Sequence, residues 1–408
     1  MNIVLVAHEF FLDGENYHGG IATYVKTIAQ ALHRNGHNIC VVTLSFDNND
    51  AVLWNGIRVE RVKMPAFAYK IKKVLHNKAG EYLIGAWLIR CRLHRLFKSW
   101  AVPDVVHYAN YKSVGYFLEK RIPSVIRLSS DNVLWREAHK QSYTLESAFE
   151  KINIEDRLEF RTIKRADGVF APSYFLAELT QRRLHVSVRV IESPAPDLVQ
   201  ENLAGDLPNV LYGRKYVLYF GALSRAKGTH LFLPIIQGLL RTFLDCDFVF
   251  IGHDYGIRTT AGKEMLSTRL KESAGPFADR LVYFDHLPPH ELYPIIKHAT
   301  CCVFPSRVDN LPNSCLEAMS LGIPVIGTRG ASFEQLIDDG ISGLLIEIDN
   351  TDQLNNAIIR MLHMSELQRA EMGRYAKIRL LCNNTLLITE HLTAFYQEVI
   401  NRHEQKRS

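Results

Sequence analysis

Short apolar runs, rich in β-branched residues, alternate with longer helical stretches along the whole chain. Ten of these runs have the length and composition of buried strands. Strands separated by helices in this way indicate parallel α/β sheets with both faces covered. The predicted strands are Ile3 to Ala7, Ile39 to Leu44, Val105 to Tyr108, Ser124 to Leu128, Gly168 to Ala171, Val217 to Phe220, Phe248 to Ile251, Leu281 to Phe284, Cys302 to Phe304 and Val325 to Gly327.

The predicted strands fall into two sets, separated by the linker Glu192 to Asp197. Its prolines disfavour both a helix interior and a central strand. The chain has 408 residues, and a length prior of roughly 150 residues per domain also suggests two domains. We predict two doubly wound, Rossmann-like α/β domains that face each other across a cleft. The first is 1–195, with a C-terminal helix in 385–408 packing back on it, and the second is 196–384.

The segment from Phe304 to Gly327 is the strongest candidate for chemistry. It predicts a strand, a polar loop, a short helix opened by Asn313 or Ser314 and closed by Gly322, and then another strand. Such a turn lies at the carboxyl edge of a parallel sheet, where ligands bind in open α/β folds. The free N–H groups and positive dipole end of the helix would suit a diphosphate.

This segment resembles the donor site of family 4 retaining glycosyltransferases of GT-B fold. The hallmark of that family is two carboxylates separated by seven residues, and Asp309 and Glu317 have this spacing. The resemblance implies that Asp309 contacts the donor sugar and that Glu317 binds the ribose hydroxyls. The family usually has Glu at the first position, so the side chain of Asp309 is one methylene shorter.

Structural alternatives compete with these roles. Ser314 and Glu317 have the spacing of a capping box, in which the acid closes the start of the helix. Asp309 could be an ordinary loop acid. The resemblance also implies donor contacts from the loop and helix start, which here are Asn310, Leu311, Asn313 and Ser314.

A second motif, Tyr219 to Thr229, predicts a strand, a glycine-containing loop and a helix start. It resembles the family stretch in which an Arg and a Lys neutralise the donor diphosphate. Lys227 matches the Lys, and together with Asp309 it is our candidate for the catalytic machinery. Ala222 replaces the Arg, and Arg225, two residues before Lys227, could supply the missing charge.

A third motif, Gly19 and Gly20, follows His18 after the first strand and opens a helix. Paired glycines let the backbone approach a ligand closely. The family has a similar turn in its N-terminal domain, facing the donor phosphates and the acceptor. We therefore add both glycines to the predicted donor-binding residues.

The acceptor side is less defined. Many relatives carry a His after the strand that corresponds to Ser124 to Leu128, but this chain has Ser129, Ser130 and Asp131 there. The acceptor-side candidates are His107, Arg127, Ser129 and Asp131. His107 could equally be a hydrogen-bonded residue at the end of a strand.

Charge is unevenly distributed, although the formal net charge is only +5. From Arg61 to Trp100 there are ten Lys and Arg against one acid, Glu81, interleaved with aromatic and aliphatic residues. This mixture is typical of a basic amphipathic helix on an anionic lipid surface, although a solvated helix face over a core stripe has the same pattern. No recognition motif for nucleic acid accompanies the charge.

The remaining composition fits an intracellular protein. Seven scattered cysteines contain no C-x-x-C pair, which is typical of a reducing compartment. No stretch approaches the ~18 apolar residues of a membrane-spanning helix. We expect a cytoplasmic protein, with peripheral contact to the inner membrane face through 61–100.

The resemblance implies a retaining glycosyltransferase that uses a nucleotide-diphosphate-sugar donor and needs neither a cofactor nor a metal ion. The basic, aromatic-rich stretch favours a lipid-linked saccharide acceptor, as in surface polysaccharide assembly. The alternatives are a nucleotide-sugar epimerase of GT-B fold and a non-catalytic scaffold subunit that binds nucleotide-sugar. A dinucleotide oxidoreductase is disfavoured because no G-x-G-x-x-G follows any predicted strand.

Overall fold

The computed structural model of the protein describes residues 1–12, 19–196, 206–259 and 262–407, with the side chains of residues 72–75 and 148 excepted. His18, which precedes the paired glycines, and Asp197, the last residue of the predicted linker, lie outside the described residues. The chain forms two compact units.

The first unit comprises Met1–Leu134, Leu145–Pro194 and Thr385–Ser408, and the second comprises Trp135–Thr144 and Ala195–Asn384. The predicted first domain also included residues 135–144, which the structure places with the second unit. The cause is a side chain of the second unit, Arg307, which holds the backbone of this segment by hydrogen bonds.

An eight-stranded sheet forms the centre of the first unit. Its strands are β1 (Asn2–Ala7), β2 (Asn38–Ser45), β3 (Ala51–Trp54), β4 (Ile57–Lys63), β5 (Val105–Ala109), β6 (Ser124–Arg127), β7 (Gly168–Ala171) and β8 (Arg189–Val190). They lie in the order β3-β4-β2-β1-β5-β6-β7-β8, and every neighbouring pair is parallel except β3 and β4. The five strands predicted for this half are confirmed. The antiparallel β3–β4 hairpin at the edge and the two-residue β8 were not predicted.

Helices cover the sheet of the first unit. They are α1 (Gly20–Arg34), α2 (Ala66–Leu75), α3 (Ala79–Ser99), α4 (Asn132–Ala138), α5 (Ser147–Glu150), α6 (Ile154–Lys164) and α7 (Tyr174–Leu184). The last residues of α4, from Trp135 onward, belong to the second unit. No helix among the described residues is long and apolar enough to cross a bilayer.

A six-stranded, fully parallel sheet forms the centre of the second unit. The strands of this unit are β9 (Lys215–Phe220), β10 (Cys246–Ile251), β11 (Ile257–Thr259), β12 (Gly262–Glu264), β13 (Leu281–Phe284), β14 (Cys301–Phe304), β15 (Val325–Thr328) and β16 (Gly343–Ile346). The sheet has the order β13-β10-β9-β14-β15-β16, and β11 and β12 pair separately as a small hairpin. The five predicted strands are confirmed, and β11, β12 and β16 were not predicted.

Apolar side chains are buried on both faces of the second sheet. Val217 and Tyr219 of β9 belong to one buried cluster, and Leu218 and Phe220 belong to another. The helices of this unit are α8 (Ile236–Thr242), α9 (Leu266–Ala274), α10 (Pro289–Lys297), α11 (Asn313–Ser320), α12 (Thr351–His363) and α13 (Glu366–Arg379). A strand that is buried on both faces has a continuous apolar sequence, and β9 could therefore be predicted from the sequence.

The order of strands reverses at the centre of each sheet. β1 lies between β2 and β5, and β9 lies between β10 and β14. In open parallel sheets, the loops at the carboxyl ends of such strands line a crevice in which ligands bind. The loops after β9 and β14 carry two of the three predicted motifs.

The helix α14 (Thr385–Gln405) returns to the first unit after the chain has built the second. Tyr396 and Val399 of this helix are fully buried, and the Tyr396 hydroxyl lies 2.7 Å from Nδ1 of His107 on β5. A β-carbon at Gly168 would lie 2.6 Å from Cγ2 of Val399, so glycine at the start of β7 permits this close packing. The apolar periodicity of the helix is explained by this contact.

Replacement of His107 should change how stability depends on pH. Burial lowers the pKa of His107 to about 3, whereas the pKa of an unfolded histidine is about 6.5. Between these values only the unfolded chain binds this proton, so each pH unit removes up to about 1.4 kcal/mol of unfolding free energy. His107→Gln does not titrate, and its unfolding free energy should fall less steeply than that of the wild type as the pH drops.

Urea unfolding at pH 6.5, 5.5 and 4.5 measures the two slopes. His391→Gln, at an exposed position of α14, is the matched control and should follow the wild type. Equal slopes for His107→Gln and the wild type would show that the folded protein takes up this proton.

Candidate functional site

The loops that follow β9 and β14 touch through their backbones. Gly228 has a φ of +73°, and a β-carbon there would lie 1.7 Å from the carbonyl oxygen of Pro305. The N–H of Arg307 donates to the carbonyl oxygen of Ala226 over 2.9 Å. Only glycine satisfies both the backbone conformation and the space at position 228.

This contact brings together the two residues predicted as catalytic, which are 82 positions apart in sequence. Nζ of Lys227 lies 2.5 Å from Oδ2 of Asp309, and the other carboxylate oxygen of Asp309 accepts from the N–H of Asn310 over 3.0 Å. The two side chains are 21% and 11% exposed, so the ion pair is largely shielded but still reachable. Such a pair can exchange one charged partner for another when a ligand enters.

The helix α11 begins at Asn313, close to Asp309 in sequence, and Pro312 occupies the N-cap position without a side-chain cap. A capping box would need Ser314 at that position, so the capping alternative for Glu317 is excluded. Ser314 belongs to the first turn of the helix, and Glu317 lies half-buried one turn further. A first turn that no side chain caps suits an anion.

The loop between Asp309 and α11 is strained. Leu311 has a φ of +115°, a conformation that residues with a β-carbon rarely adopt, and its side chain is buried. Such strain persists only where the surrounding packing fixes it, and it is concentrated at ligand sites. Ser332 contributes to this packing by donating its hydroxyl to the carbonyl oxygen of Asp309 over 3.1 Å.

The surroundings of the ion pair are electropositive. Burial lowers the pKa of Arg225, and the positive charge of Arg307 lowers it further. Burial, followed by the charges of Arg307 and Arg225, also lowers the pKa of His230 to about 3, so this imidazole is neutral at pH 7. His230 therefore adds no positive charge to the site at pH 7.

Two residues near the site had no role in the sequence analysis. Arg307 is 3% exposed, and its guanidinium donates to the backbone of residues 138–141. The ring centroid of Trp135 lies 4.9 Å from Nζ of Lys227. Arg307 lies inside the motif from Phe304 to Gly327 and could have been predicted as a site residue. No local sequence pattern links position 135 to position 227.

In the first unit, α1 begins at Gly20, with Gly19 at the N-cap. A β-carbon at Gly19 would lie 2.2 Å from Oε1 of Glu9, which itself pairs with His8 over 3.1 Å. The carboxylate therefore lies against the start of a helix, where negative charge is stabilised. Glu9 was not predicted as a site residue, although it follows β1 closely.

All four acceptor-side candidates are engaged within the first unit. His107 contacts Tyr396, as described above. The guanidinium of Arg127 lies 3.6 Å from the ring centroid of Tyr24 and donates to the hydroxyls of Ser129 and Ser193. Ser129 is half-buried, and it stays an acceptor-side prediction with the others.

Asp131, the fourth candidate, is 5% exposed. One carboxylate oxygen pairs with Arg183, and the other accepts from the N–H of Leu134 over 2.9 Å. These contacts tie α7 to the start of α4. A role in acceptor binding would require Asp131 to leave both partners.

The described residues contain neither a disulfide nor a ready metal site. The seven cysteines are free thiols. Burial raises the pKa of the Cys40 thiol to about 12, so this residue is a packed apolar side chain at neutral pH. No group of three or more His, Cys, Asp or Glu among these residues is arranged to hold a metal ion.

Two family models match the chain, one for each half. Residues 18–195 match Glycosyltransferase Family 4, and residues 209–379 match Glycosyl transferases group 1. The protein is therefore a glycosyltransferase. It belongs to family 4, as the motifs around Asp309 and Lys227 implied.

Two relatives resemble the chain over most of its length. Spore coat protein SA of Bacillus subtilis (strain 168) is 22% identical over 391 residues, which are 92% of this chain and 94% of that protein. Alpha-monoglucosyldiacylglycerol synthase of Streptococcus pneumoniae is 24% identical over 85% of this chain and 77% of its own.

A sucrose-phosphate synthase from Thermosynechococcus elongatus has a similar solved structure. Its TM-score is 0.73 at 18% identity, and the match covers 98% of this chain and 100% of that one. At this identity the likeness concerns the fold, which is the predicted GT-B fold of two Rossmann-like α/β domains.

Substitution of Gly228 should separate steric exclusion from backbone strain. Gly228→Ala adds a β-carbon that collides with Pro305, so the loss of unfolding free energy should exceed the roughly 1–2 kcal/mol of a left-handed backbone alone. Gly213→Ala is the matched control, because its φ is +69° and its β-carbon would meet no atom within 4 Å.

Urea unfolding of both variants and the wild type gives the comparison. Gly228→Ala should lose more stability than Gly213→Ala. Equal losses would mean that the contact between the two loops is loose.

Proposed function

We propose that the protein transfers a sugar from a nucleotide-diphosphate-sugar to a saccharide acceptor with retention of configuration. The observation that carries the proposal is the meeting of Lys227 and Asp309, 2.5 Å apart, at the carboxyl edge of the second sheet. A cation and a carboxylate this close together can contact the two groups that a single sugar–phosphate bond joins. The sugar would lie against Asp309, and the diphosphate would lie against Lys227.

The remaining donor contacts follow from the motifs. Arg225 would share the diphosphate charge with Lys227, and Glu317 would bind the ribose hydroxyls. The other proposed donor-binding residues are Asn310, Leu311, Asn313 and Ser314 in the second unit and Gly19 and Gly20 in the first.

The proposed reaction is a front-face transfer. The bond between the sugar C1 and the β-phosphate oxygen breaks while the acceptor hydroxyl attacks C1 from the same face. The proton of that hydroxyl passes to the departing phosphate oxygen. The protein positions the groups and stabilises the charge that develops on the phosphate, through Lys227, Arg225 and the first turn of α11. We propose that neither a metal ion nor a cofactor is needed.

A lipid-linked saccharide is the proposed acceptor, in glycoconjugate or polysaccharide assembly. One relative, at 24% identity, is named for a glucosylated diacylglycerol. Part of the basic stretch is already neutralised, because Arg61 and Arg92 pair with Asp50 and Glu60. The apolar stripe of α3 is buried in its own unit, but Trp87 is 53% exposed.

A basic groove on α6, which packs against α3, extends the proposed contact with an anionic membrane. Its volume is about 460 Å³, and apolar side chains line it together with positive ones and without any carboxylate. A surface of this kind is suited to phospholipid head groups. The groove is lined by Ile152, Arg157, Phe160, Arg161, Lys164, Arg165, Arg183 and Leu184.

Donor binding can be tested by thermal stability in the presence of UDP-, GDP-, ADP- and dTDP-sugars. A ligand at 100 times its Kd stabilises the folded state by about 2.7 kcal/mol, which is visible in a melting curve. We expect one nucleotide series to raise the Tm of the wild type, and Lys227→Ala and Glu317→Ala to abolish the rise.

Lys215→Ala is the matched control, because this lysine of β9 is exposed and pairs only with Asp245 among the described residues. It should keep the full rise in Tm. If no series stabilises the wild type, donor binding as proposed is wrong.

Product analysis separates the proposal from its alternatives. An epimerase would convert the donor sugar with no acceptor and form no glycoside. A scaffold subunit would bind the donor without consuming it, and the shorter Asp309 and Ala222 motivate that alternative. Release of nucleoside diphosphate with a glycoside of the same anomeric configuration as the donor supports retaining transfer.

Membrane contact can be tested with Arg161→Glu/Lys164→Glu, which reverses two exposed charges of the groove. Each basic residue near an anionic surface contributes ~1 kcal/mol, so the fraction that floats with phosphatidylglycerol vesicles should fall at least about tenfold. Lys271→Glu/Arg374→Glu makes the same change in net charge at exposed sites of the second unit and should float like the wild type. Flotation equal in both double variants would contradict the assignment to this face.

A further inference from the structure

Residues 135–144 lie in sequence within the first half of the chain, yet they pack as part of the unit that carries Lys227 and Asp309. The segment begins inside α4 and ends before α5. None of the three family motifs includes it. Its contacts nevertheless place one side chain next to the candidate site.

Arg307 anchors this segment. Its Nη1 donates to the carbonyl oxygens of Ala138 over 3.1 Å and Lys140 over 2.6 Å, and its Nη2 donates to that of Gln141 over 3.3 Å. Its Nε donates to Asp349 over 2.7 Å. The planar fork of arginine offers donors in several fixed directions, which a lysine ammonium does not reproduce.

The anchored segment presents Trp135 to Lys227. The ring centroid lies 4.9 Å from Nζ, while Asp309 Oδ2 lies 2.5 Å from the same nitrogen. The ammonium therefore has two attractive neighbours, one charged and one aromatic. A cation over an indole face is attracted by the ring, more strongly where water is partly excluded.

The proposed reaction breaks the contact of Lys227 with Asp309 but not its contact with Trp135. In the proposed transfer, Asp309 turns to the donor sugar, and Lys227 exchanges this carboxylate for the diphosphate. Trp135 is uncharged and has no need to move during that exchange. The ring can therefore hold the long lysine side chain in place while its charged partner changes.

We propose that Trp135 is a positioning residue for Lys227, and that residues 135–144, anchored by Arg307, form a wall of the donor-diphosphate site. This inference rests on the proposed function. It assigns to the site an aromatic residue outside all three donor motifs. It also gives Arg307 a role in donor binding without any contact to the donor.

The test compares a nucleoside diphosphate with the corresponding monophosphate, using UDP and UMP, GDP and GMP, ADP and AMP, and dTDP and dTMP in calorimetric titrations. Lys227 is proposed to meet the diphosphate, so a defect in its position should weaken diphosphate binding selectively. Trp135→Leu should lower diphosphate affinity by about 3- to 30-fold, the range of a cation–aromatic contact, and leave monophosphate affinity within about twofold.

Two further variants sharpen the result. Trp135→Phe keeps an aromatic face with a weaker attraction for a cation, so its loss of diphosphate affinity should be smaller. Arg307→Lys keeps the charge but not the fork, and it should shift the ratio of affinities in the same direction as Trp135→Leu. Trp87→Leu, at the half-exposed tryptophan of the first unit, should leave the ratio unchanged.

The outcomes are distinguishable. A wild-type preference for diphosphate that Trp135→Leu retains would overturn the inference and leave the proposed function intact. A wild type that binds no nucleoside diphosphate would overturn both. If Trp135→Leu does not fold, the ratio for Trp135→Phe decides: a reduced preference supports the inference, and an unchanged one contradicts it.

Discussion

Two backbone segments of the second unit lie in direct contact at Gly228 and Pro305, with no room for a side chain between them. One segment follows β9 and the other follows β14, so the contact joins the loops of two neighbouring strands at the carboxyl edge of the sheet. Lys227 and Asp309 flank this contact and can pair because of it. A larger residue at position 228 would move the cation away from the carboxylate.

The charged side chains of the site would let a bound anion replace Asp309 as the partner of Lys227. Among the described residues, Lys227 pairs with Asp309 and Arg307 pairs with Asp349. Burial lowers the pKa of Arg225, and the positive charge of Arg307 lowers it further. A bound diphosphate would relieve this repulsion. In the proposed reaction, relief of the repulsion between Arg225 and Arg307 would contribute to the free energy of donor binding.

The sequence predicted the central strands of both sheets and the loops around Asp309 and Lys227, because buried parallel strands are continuous apolar runs and the motifs are local. It could have predicted the β3–β4 hairpin, since Asn55 and Gly56 form its two-residue turn with positive φ. It could not predict the contact of Trp135 with Lys227, which depends on hydrogen bonds from Arg307 to backbone oxygens 166 to 169 residues away. Backbone acceptors leave no signature in side-chain identity.

The path of the chain through the two units bears on the order in which they are completed. The first unit contains α14, which follows the whole of residues 195–384 in sequence. During synthesis on the ribosome, the second unit therefore emerges in full while Gly168 and the buried His107 still lack Val399 and Tyr396. Although domains usually mature from the N-terminus onward, here the N-terminal unit is the last to close, and its apolar surface is open to chaperones or to misassembly until α14 emerges.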